Sequence, residues 1–160
     1  MSARFQLDAR VTGGSQPSLK GLERLAREGF RSVLNLSAEG EPGPQLSPNV
    51  EASWVHALAM EHGRLSVFLD DLRSDLVERF QRLLRELPGP VFVESRTGRR
   101  AAAFLTIQLA LDRSLAADRA LAAARDLGMD CELEELRRYV RTEIERRTPG
   151  DAPSPSLRAT

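Results

Sequence analysis

Hydrophobic residues recur along the chain at two different spacings, and the alternation of the two predicts an α/β fold. Apolar positions three or four residues apart predict amphipathic helices over about 18–28, 71–87, 101–111, 114–127 and 131–147. Short apolar stretches predict strands over about 4–11, 31–36, 54–59 and 91–93. Strands that alternate with helices favour a mostly parallel central sheet flanked by helices, which binds ligands at the carboxyl ends of its strands.

Turn-forming residues mark where the predicted elements end. Ser18 is placed to cap the first helix, and Gly29 is placed to end it in a left-handed conformation. The run Pro-Gly-Pro at 88–90 ends a helix sharply before the strand that follows. Gly and Pro are concentrated in the segments 13–17 and 37–49, which predicts a turn and a surface loop.

The composition is that of one globular domain without a global electric field. Of the 160 residues 41% are hydrophobic, and 23 Lys and Arg balance 23 Asp and Glu. A balanced charge gives no general attraction to nucleic acid or to an anionic membrane, so we expect neither as a partner. Residues 148–160 are rich in Pro, Ser and Gly, which predicts a disordered tail behind a domain of residues 1–147.

The remaining sequence signals predict a cytoplasmic protein without a cofactor. Cys131 is the single cysteine and cannot form an internal disulfide. No secretory signal pattern and no apolar run of about 20 residues is present. Two isolated histidines and one cysteine lack the spacing of metal ligands, so we expect no metal. The sequence leaves the oligomeric state open.

The segment 91–103 has the build of an anion-binding loop. A buried strand is followed by a glycine turn with three arginines and then by a small-residue helix start. Such a helix start directs unpaired N–H groups and a partial positive charge at one place. Arg100 is the best candidate for a bidentate clamp on phosphate. The candidate phosphate-binding loop, or P-loop, consists of Ser95, Arg96, Thr97, Gly98, Arg99 and Arg100.

The loop contains groups that bind phosphate but no strong nucleophile. Cleavage of a phosphate monoester through a covalent intermediate needs a nucleophile, N–H donors, a guanidinium and an acid. A cysteine would work here because the positive loop lowers its pKa. The hydroxyl of Ser95 is a far weaker acid than a thiol, and no His or Lys adjoins Ser95 in sequence to remove its proton. We therefore expect weak chemistry from Ser95.

Four segments carry a resemblance to a known family: 14–18, 28–36, 88–93 and the loop 95–101, Ser-Arg-Thr-Gly-Arg-Arg-Ala. Through them, from about Phe5 to Met129, the chain resembles the bacterial beta-lactamase-hydrolase-like phosphatases. These form a branch of the cysteine-dependent tyrosine and dual-specificity phosphatase superfamily, with the loop pattern Cys-Arg-Ser/Thr-Gly-x-Arg-Ser/Ala. The resemblance implies a three-layer phosphatase-like domain whose partner is phosphate or a phosphorylated ligand or protein.

The chain departs from the family pattern at two catalytic places. Ser95 stands at the nucleophile position, where the family has cysteine, and Glu94 precedes it where related loops often have His, Tyr or Phe. The resemblance also implies a general-acid Asp about thirty residues earlier, where this chain has no Asp. The weak candidates for that role are Glu61, His62, Asp70 and Asp71.

Three hypotheses about function follow. In the first, which we favour, the domain is a pseudophosphatase that binds a phosphorylated ligand or partner with impaired or absent catalysis. In the second, an active phosphatase has had its cysteine changed to Ser95 in this sequence. In the third, the chain is a serine-dependent hydrolase, which needs a base from elsewhere in the fold, or a rhodanese-like relative, for which the missing cysteine is fatal.

Overall fold

The computed structural model describes residues 4–42, 46–129 and 131–148. Within these residues the chain forms five strands and six helices. They are β1 (Arg4–Gln6), β2 (Val11–Ser15), α1 (Leu19–Arg27), β3 (Ser32–Asn35), α2 (Pro48–Ala57), β4 (Glu61–Arg64), α3 (Asp75–Glu86), β5 (Val91–Ser95), α4 (Arg99–Arg113), α5 (Ala117–Asp126) and α6 (Glu134–Arg147). The predicted α/β class is confirmed.

The strands form one sheet in the order β1-β2-β5-β3-β4. The edge strand β1 is antiparallel to β2, and the other three pairings are parallel. This confirms the predicted mostly parallel sheet. Because β5 lies in the centre, Ser95 is at the carboxyl end of the middle strand, paired with Ser15 on one side, while Glu94 pairs with Asn35 on the other.

Successive side chains of the central strands pack into two different cores, which makes three layers. Phe92 and Val33 lie in a core with residues of α1 and α2. Val91, Val93 and Leu34 lie in the larger core, which contains residues of α3, α4, α5 and α6. This alternation follows from the two-residue period of a strand, which presents neighbouring side chains to opposite faces. Helices therefore cover both faces of the sheet.

Helix α4 is the most deeply buried helix of the larger core. Its first turns contain Ala101, Ala102 and Ala103, all buried, and short side chains there allow close packing on the sheet. Further along, the Phe104 ring lies 5.7 Å from the Tyr139 ring of α6, centroid to centroid. A helix held on several sides has a fixed start, so the loop that precedes α4 is also held in place.

The predicted strand over 4–11 is wrong in its extent, because two strands with a turn between them occupy this region. Asp8 makes the turn through its Oδ1, which accepts the N–H groups of Arg10 and Val11 at 2.8 Å each. The predicted turn over 13–17 also overlaps β2, which ends at Ser15. Gly13 therefore lies inside β2 and not in a turn. The strand has glycine at this position because a Cβ there would lie 2.5 Å from the Leu105 and Phe5 side chains.

The predicted strand over 54–59 is also wrong, because this stretch belongs mainly to helix α2. Ser47 caps the helix with its Oγ, which accepts the Val50 N–H at 3.3 Å. Pro48 occupies the first turn, where its missing N–H has no cost. His56 is therefore an exposed helical residue and does not lie in a buried strand.

The strand missing from that prediction is β4, whose sequence Glu-His-Gly-Arg has no apolar residue. It lies at the edge of the sheet, where a short polar strand needs no hydrophobic alternation. The predicted loop over 37–49 overlaps the start of α2 at Pro48, and its residues 43–45 lie outside the described residues.

The other predicted elements are present with shifted ends. Helix α1 has the expected Ser18 cap, whose Oγ accepts the Gly21 N–H at 3.1 Å, and Gly29 follows it with φ of 99°. Ser114, expected to begin a helix, instead ends α4 with φ of 55°. The predicted tail 148–160 lies outside the described residues except for Thr148. None of the described helices has the length and apolar character needed to cross a membrane.

Candidate anion-binding site

Ser95 lies at the bottom of a short loop that joins the central strand β5 to helix α4. Its side chain is fully buried, and its Oγ accepts the N–H of Ala101 at 3.1 Å. Its carbonyl oxygen accepts the N–H of Gly98 at 3.2 Å. The chain thus turns back over Ser95, and α4 begins one residue after Gly98. This places the positive end of the α4 dipole beside the Ser95 hydroxyl.

Gly98 makes this tight turn possible in two ways. Its φ of 89° is in the left-handed region, which favours glycine. A Cβ at this position would also lie 3.2 Å from the Gly14 carbonyl carbon and from the Ser15 nitrogen. The loop therefore rests directly on the backbone at the end of β2, and any side chain at 98 would push the two segments apart.

Arg100 is buried, with 8% of its surface exposed, and Glu41 and Val67 hold it in place. Its Nη1 and Nη2 donate to Glu41 Oε1 and Oε2 at 3.0 and 2.8 Å. Nη1 also donates to the Val67 carbonyl at 3.1 Å. The other edge of the guanidinium, formed by Nε–H and the second Nη2–H, has no partner among the described residues. That edge has the paired N–H geometry that binds a carboxylate or a phosphate.

Glu41 remains ionised beside these cations. Burial raises the pKa of Glu41, but the hydrogen bond and charge of Arg100, the Ala38 N–H and the charge of Arg96 outweigh it and lower the pKa below its usual value. Arg96 Nη1 lies 4.0 Å from Glu41 Oε2. Glu41 therefore fixes the position of Arg100 and partly offsets the positive charge of the loop.

The exposed side of the loop borders a surface pocket. Arg96 and Thr97 are exposed and line a pocket of about 470 Å³ together with Pro17, Leu19 and Leu46. Arg99 is also exposed, at the first position of α4. This partly apolar surface lies beside the exposed residues of the loop.

Three of the general-acid candidates lie in β4 and in the segment between β4 and α3. Glu61 begins β4 and pairs with Ser32, at the opposite end of the sheet. Asp71 Oδ2 accepts from Arg73 Nη1 at 2.6 Å in the exposed turn before α3, and Asp70 is exposed beside it. None of the three forms a hydrogen bond with the loop among the described residues.

His62 has a different neighbour, the buried carboxylate Glu51 of α2. Its Nε2 lies 2.8 Å from Glu51 Oε1, and its side chain is 3% exposed. Asn35 Nδ2 donates to the same oxygen at 2.7 Å, and Gln16 Nε2 donates to Oε2 at 3.0 Å. Glu51 thus receives hydrogen bonds from residues of β3 and β4 and from the residue that follows β2.

Glu94 completes this cluster from the central strand. It is fully buried, and neither of its oxygens has an N–H or O–H partner among the described residues. Burial raises the pKa of Glu94 well above its usual value, and the hydrogen bond and charge of Glu51 raise it further. Two carboxyl groups can hydrogen-bond only when one of them carries a proton.

The proton of this pair resides on Glu94. Burial raises the pKa of Glu51, but hydrogen bonds from Glu94, His62, Asn35 and Gln16 outweigh it and hold the pKa below its usual value. Glu94, which lacks such donors, is the acid of the pair. Glu94 is therefore a neutral hydrogen-bond donor, and Glu51 is a carboxylate.

Sequence reasoning predicted the loop but missed the acidic residues around it. Glu41 lies in a Gly- and Pro-rich loop, and Glu51 lies in α2, between the predicted loop over 37–49 and the predicted strand over 54–59. Neither has a local pattern that reveals a distant partner. The one available signal was Glu94, because a carboxyl inside a buried strand requires a proton or a polar partner.

The described site combines several groups that favour negative charge, and the Ser95 hydroxyl is bonded to none of the side chains that could act as its base. Loop N–H groups, the free edge of Arg100 and the α4 dipole all favour negative charge. No His, Lys, Asp or Glu side chain among the described residues hydrogen-bonds to Ser95 Oγ. Within the same residues, no three His, Cys, Asp or Glu side chains are grouped so that they could hold a metal ion.

Comparison with known proteins gives relatives in sequence and in structure. No family model matches the chain. A beta-lactamase hydrolase-like protein of Agrobacterium fabrum is 29% identical over 125 residues, which are 78% of this chain and 29% of that protein. A protein of the same description from Xylella fastidiosa is 24% identical over 106 residues, 66% of this chain and 25% of that protein. The chain thus spans less than a third of the length of these relatives.

The structural likeness extends over almost the whole chain. A candidate phosphatase from Neisseria meningitidis superposes with a TM-score of 0.73 at 20% identity, covering 87% of this chain and 96% of that one. Tk-PTP in its active form gives 0.66 at 21% identity, covering 89% and 97%. The chain therefore has the fold of these proteins.

The contact between Gly98 and β2 predicts a difference between two glycine substitutions. Gly29→Ala and Gly98→Ala both place a side chain at positive φ, which costs about 1–2 kcal/mol. Only Gly98→Ala also meets backbone atoms, whereas nothing lies within 4 Å of a Cβ at Gly29. We expect Gly98→Ala to lower the free energy of unfolding by about 1–3 kcal/mol more than Gly29→Ala. Equal losses in urea unfolding would show that the loop does not rest on β2.

The buried acid Glu94 predicts a dependence of stability on pH. A carboxyl whose pKa is raised on folding takes up a proton, so stability falls as the pH rises from the unfolded value near 4.5 towards the folded pKa. For one proton the fall is at most about 1.4 kcal/mol per pH unit. In Glu94→Gln this fall should be absent. The measurement is the free energy of unfolding of both proteins between pH 5 and 9. The same change with pH in both proteins would contradict a protonated Glu94.

Proposed function

We propose that this chain is a phosphatase-fold domain that binds a phosphorylated ligand or partner at the loop 95–100 with impaired or absent catalysis. The observation that carries the proposal is Ser95 itself, a buried hydroxyl that accepts the Ala101 N–H at the bottom of the loop and hydrogen-bonds to no base among the described residues. The fold of the relatives supports the phosphate chemistry of the loop.

The support for binding comes from the combination of three features at one place. Helix α4 begins directly over Ser95, and Gly98 allows the chain to bend tightly there. Arg100 is held by Glu41 so that its second edge keeps two paired N–H donors. Donors that are fixed before a ligand arrives lose little entropy on binding, which is why such loops bind phosphate tightly.

The support for weak catalysis comes from the protonation chemistry of Ser95. A serine hydroxyl attacks phosphorus only when a base removes its proton, and the described residues offer Ser95 no such base. A cysteine at the same place would receive the Ala101 N–H and the α4 dipole, which stabilise a thiolate. The same pocket therefore also fits the second hypothesis, in which an active phosphatase has had its cysteine changed to Ser95. The serine-hydrolase and rhodanese-like alternatives gain no support from these contacts.

Hydrolysis of a generic aryl phosphate tests the proposal. We expect no turnover by the protein with Ser95 and clear turnover by Ser95→Cys, because the loop already has the N–H donors and the guanidinium and the substitution adds the nucleophile. Adding Arg100→Ala to Ser95→Cys should lower turnover by about a hundredfold or more, the usual effect of losing a donor that stabilises a transition state. Arg119→Ala in the same background is the matched control, since Arg119 is an exposed arginine of α5 and lies outside the loop.

Two results would contradict the proposal. Turnover by the natural sequence at the rate of Ser95→Cys would show that Ser95 or another group is an active nucleophile. A Ser95→Cys protein that is folded but neither hydrolyses the aryl phosphate nor binds inorganic phosphate would show that the loop is not a phosphate pocket.

A further inference from the structure

The buried polar atoms without donors are concentrated beneath the loop 95–100, which we call the anion loop. Five buried side-chain oxygens of the described residues accept no hydrogen bond from an N–H or O–H group, and four of them belong to Gln16, Ser37 and Glu94. Such atoms are rare in native proteins and call for a physical reason. The reason we consider is that this end of the sheet holds one proton whose position sets the geometry of the loop above it.

Glu51 is the centre of this region because its contacts reach all four parallel strands. Gln16 directly follows β2, Asn35 ends β3, His62 lies in β4, and Glu94 lies in β5 beside Ser95. The first three donate to the Glu51 carboxylate at 2.7 to 3.0 Å. These residues with Glu51 and Glu94 form what we call the carboxyl hub.

The carboxyl hub reaches one flank of the anion loop through Gln16. The Gln16 N–H donates to the Arg96 carbonyl at 3.5 Å, and its side chain donates to both Glu51 Oε2 and the Leu46 carbonyl. Arg96 and Leu46 line the surface pocket beside the loop. Movement of Glu51 would therefore shift this wall of the pocket.

The carboxyl hub reaches the other flank through Asn35. While its Nδ2 donates to Glu51, its Oδ1 accepts the Ser37 N–H at 2.7 Å. Ser37 begins the segment that presents Glu41 to Arg100. Both flanks of the loop therefore depend on hydrogen bonds that converge on one carboxylate.

We propose that Glu51 and a protonated Glu94 are the positioning residues of the anion loop, so that oxyanion binding requires Glu94 to keep its proton. Neutral Glu94 donates to Glu51 and adds no charge below Ser95. When Glu94 ionises, two carboxylates face each other in a buried site, and a second negative charge stands next to the loop that must hold an anion. The inference rests on the proposed function, because it concerns the same loop.

Few other charged groups face Glu94, so its own titration should control the effect. From α2 it faces Glu51, and α1 contributes the apolar Leu22 and Leu25 to this layer. From β4 come His62, bonded to Glu51, and Arg64, whose Nη2 lies 4.0 Å from exposed Glu39. Burial raises the pKa of Glu94 well above its usual value, and the hydrogen bond and charge of Glu51 raise that pKa further.

The test is the affinity for sulfate between pH 5.5 and 9.5, measured by calorimetry on the full chain. Sulfate keeps its charge throughout this range, and so do the loop arginines. We expect the affinity of the natural sequence to fall by about tenfold or more towards high pH, with a limit of tenfold per pH unit for one proton. Glu94→Gln, which keeps a neutral N–H donor, should retain the acid-side affinity at every pH.

Two further variants separate positioning from general stability. Glu143→Gln removes another buried carboxylate, which contacts Ser74 and Arg147 on the other side of the sheet, and should leave the fall with pH unchanged. Glu51→Gln should weaken sulfate binding at every pH while thermal unfolding shows that the protein is folded. If Glu51→Gln is unfolded, the comparison of Glu94→Gln with the natural sequence decides alone.

The outcomes distinguish this inference from the proposed function. Sulfate binding with the same pH profile in the natural sequence and in Glu94→Gln, whether falling or flat, would overturn the role of Glu94 and leave the proposed function intact. If Glu51→Gln is folded and binds sulfate as tightly as the protein without substitutions, the role of Glu51 is overturned. No sulfate binding at any pH by the natural sequence would overturn the proposed function and this inference with it.

Discussion

One buried carboxylate, Glu51, is the interaction on which the functional end of the fold depends. A charge removed from water is tolerated only when it is fully hydrogen-bonded, and Glu51 satisfies this with donors from β3, β4 and β5 and from Gln16, which follows β2. The requirement works in both directions, since the strands must keep their relative positions for the carboxylate to stay paired. The carboxyl ends of four strands are thereby fixed relative to one another, and so is the loop that follows β5.

The loop itself illustrates how a fold can supply electrostatic stabilisation without a strong nucleophile. Its positive character comes from backbone dipoles and from guanidinium groups that keep their charge at all physiological pH values. Ser95 shares this environment but gains nothing from it, because a hydroxyl remains protonated where a thiol would ionise. Binding and catalysis therefore depend on different atoms of the same loop, and one can persist without the other.

The sequence was most informative where local pattern and local structure coincide. The strand that leads to Ser95, the glycine turn and α4 are adjacent in the chain, so the anion loop could be predicted from a few residues. The α/β class followed from the alternation of apolar periods. Helix α2 could not be predicted in this way, because its sequence has a short apolar run and buries Glu51, a residue type that usually faces solvent. The role of Glu41 depends on Arg100, 59 positions away, and no local pattern encodes such a pairing.

The contact of Gly98 with β2 also limits how this loop can change over time. Substitutions at 98 strain the backbone, and those at 95 or 100 alter buried groups, so these positions are closed to gradual variation. Positions 96, 97 and 99 face solvent and leave the backbone unaffected. Under the proposed function, ligand preference could therefore change through three exposed side chains while the buried residues beneath them stay the same.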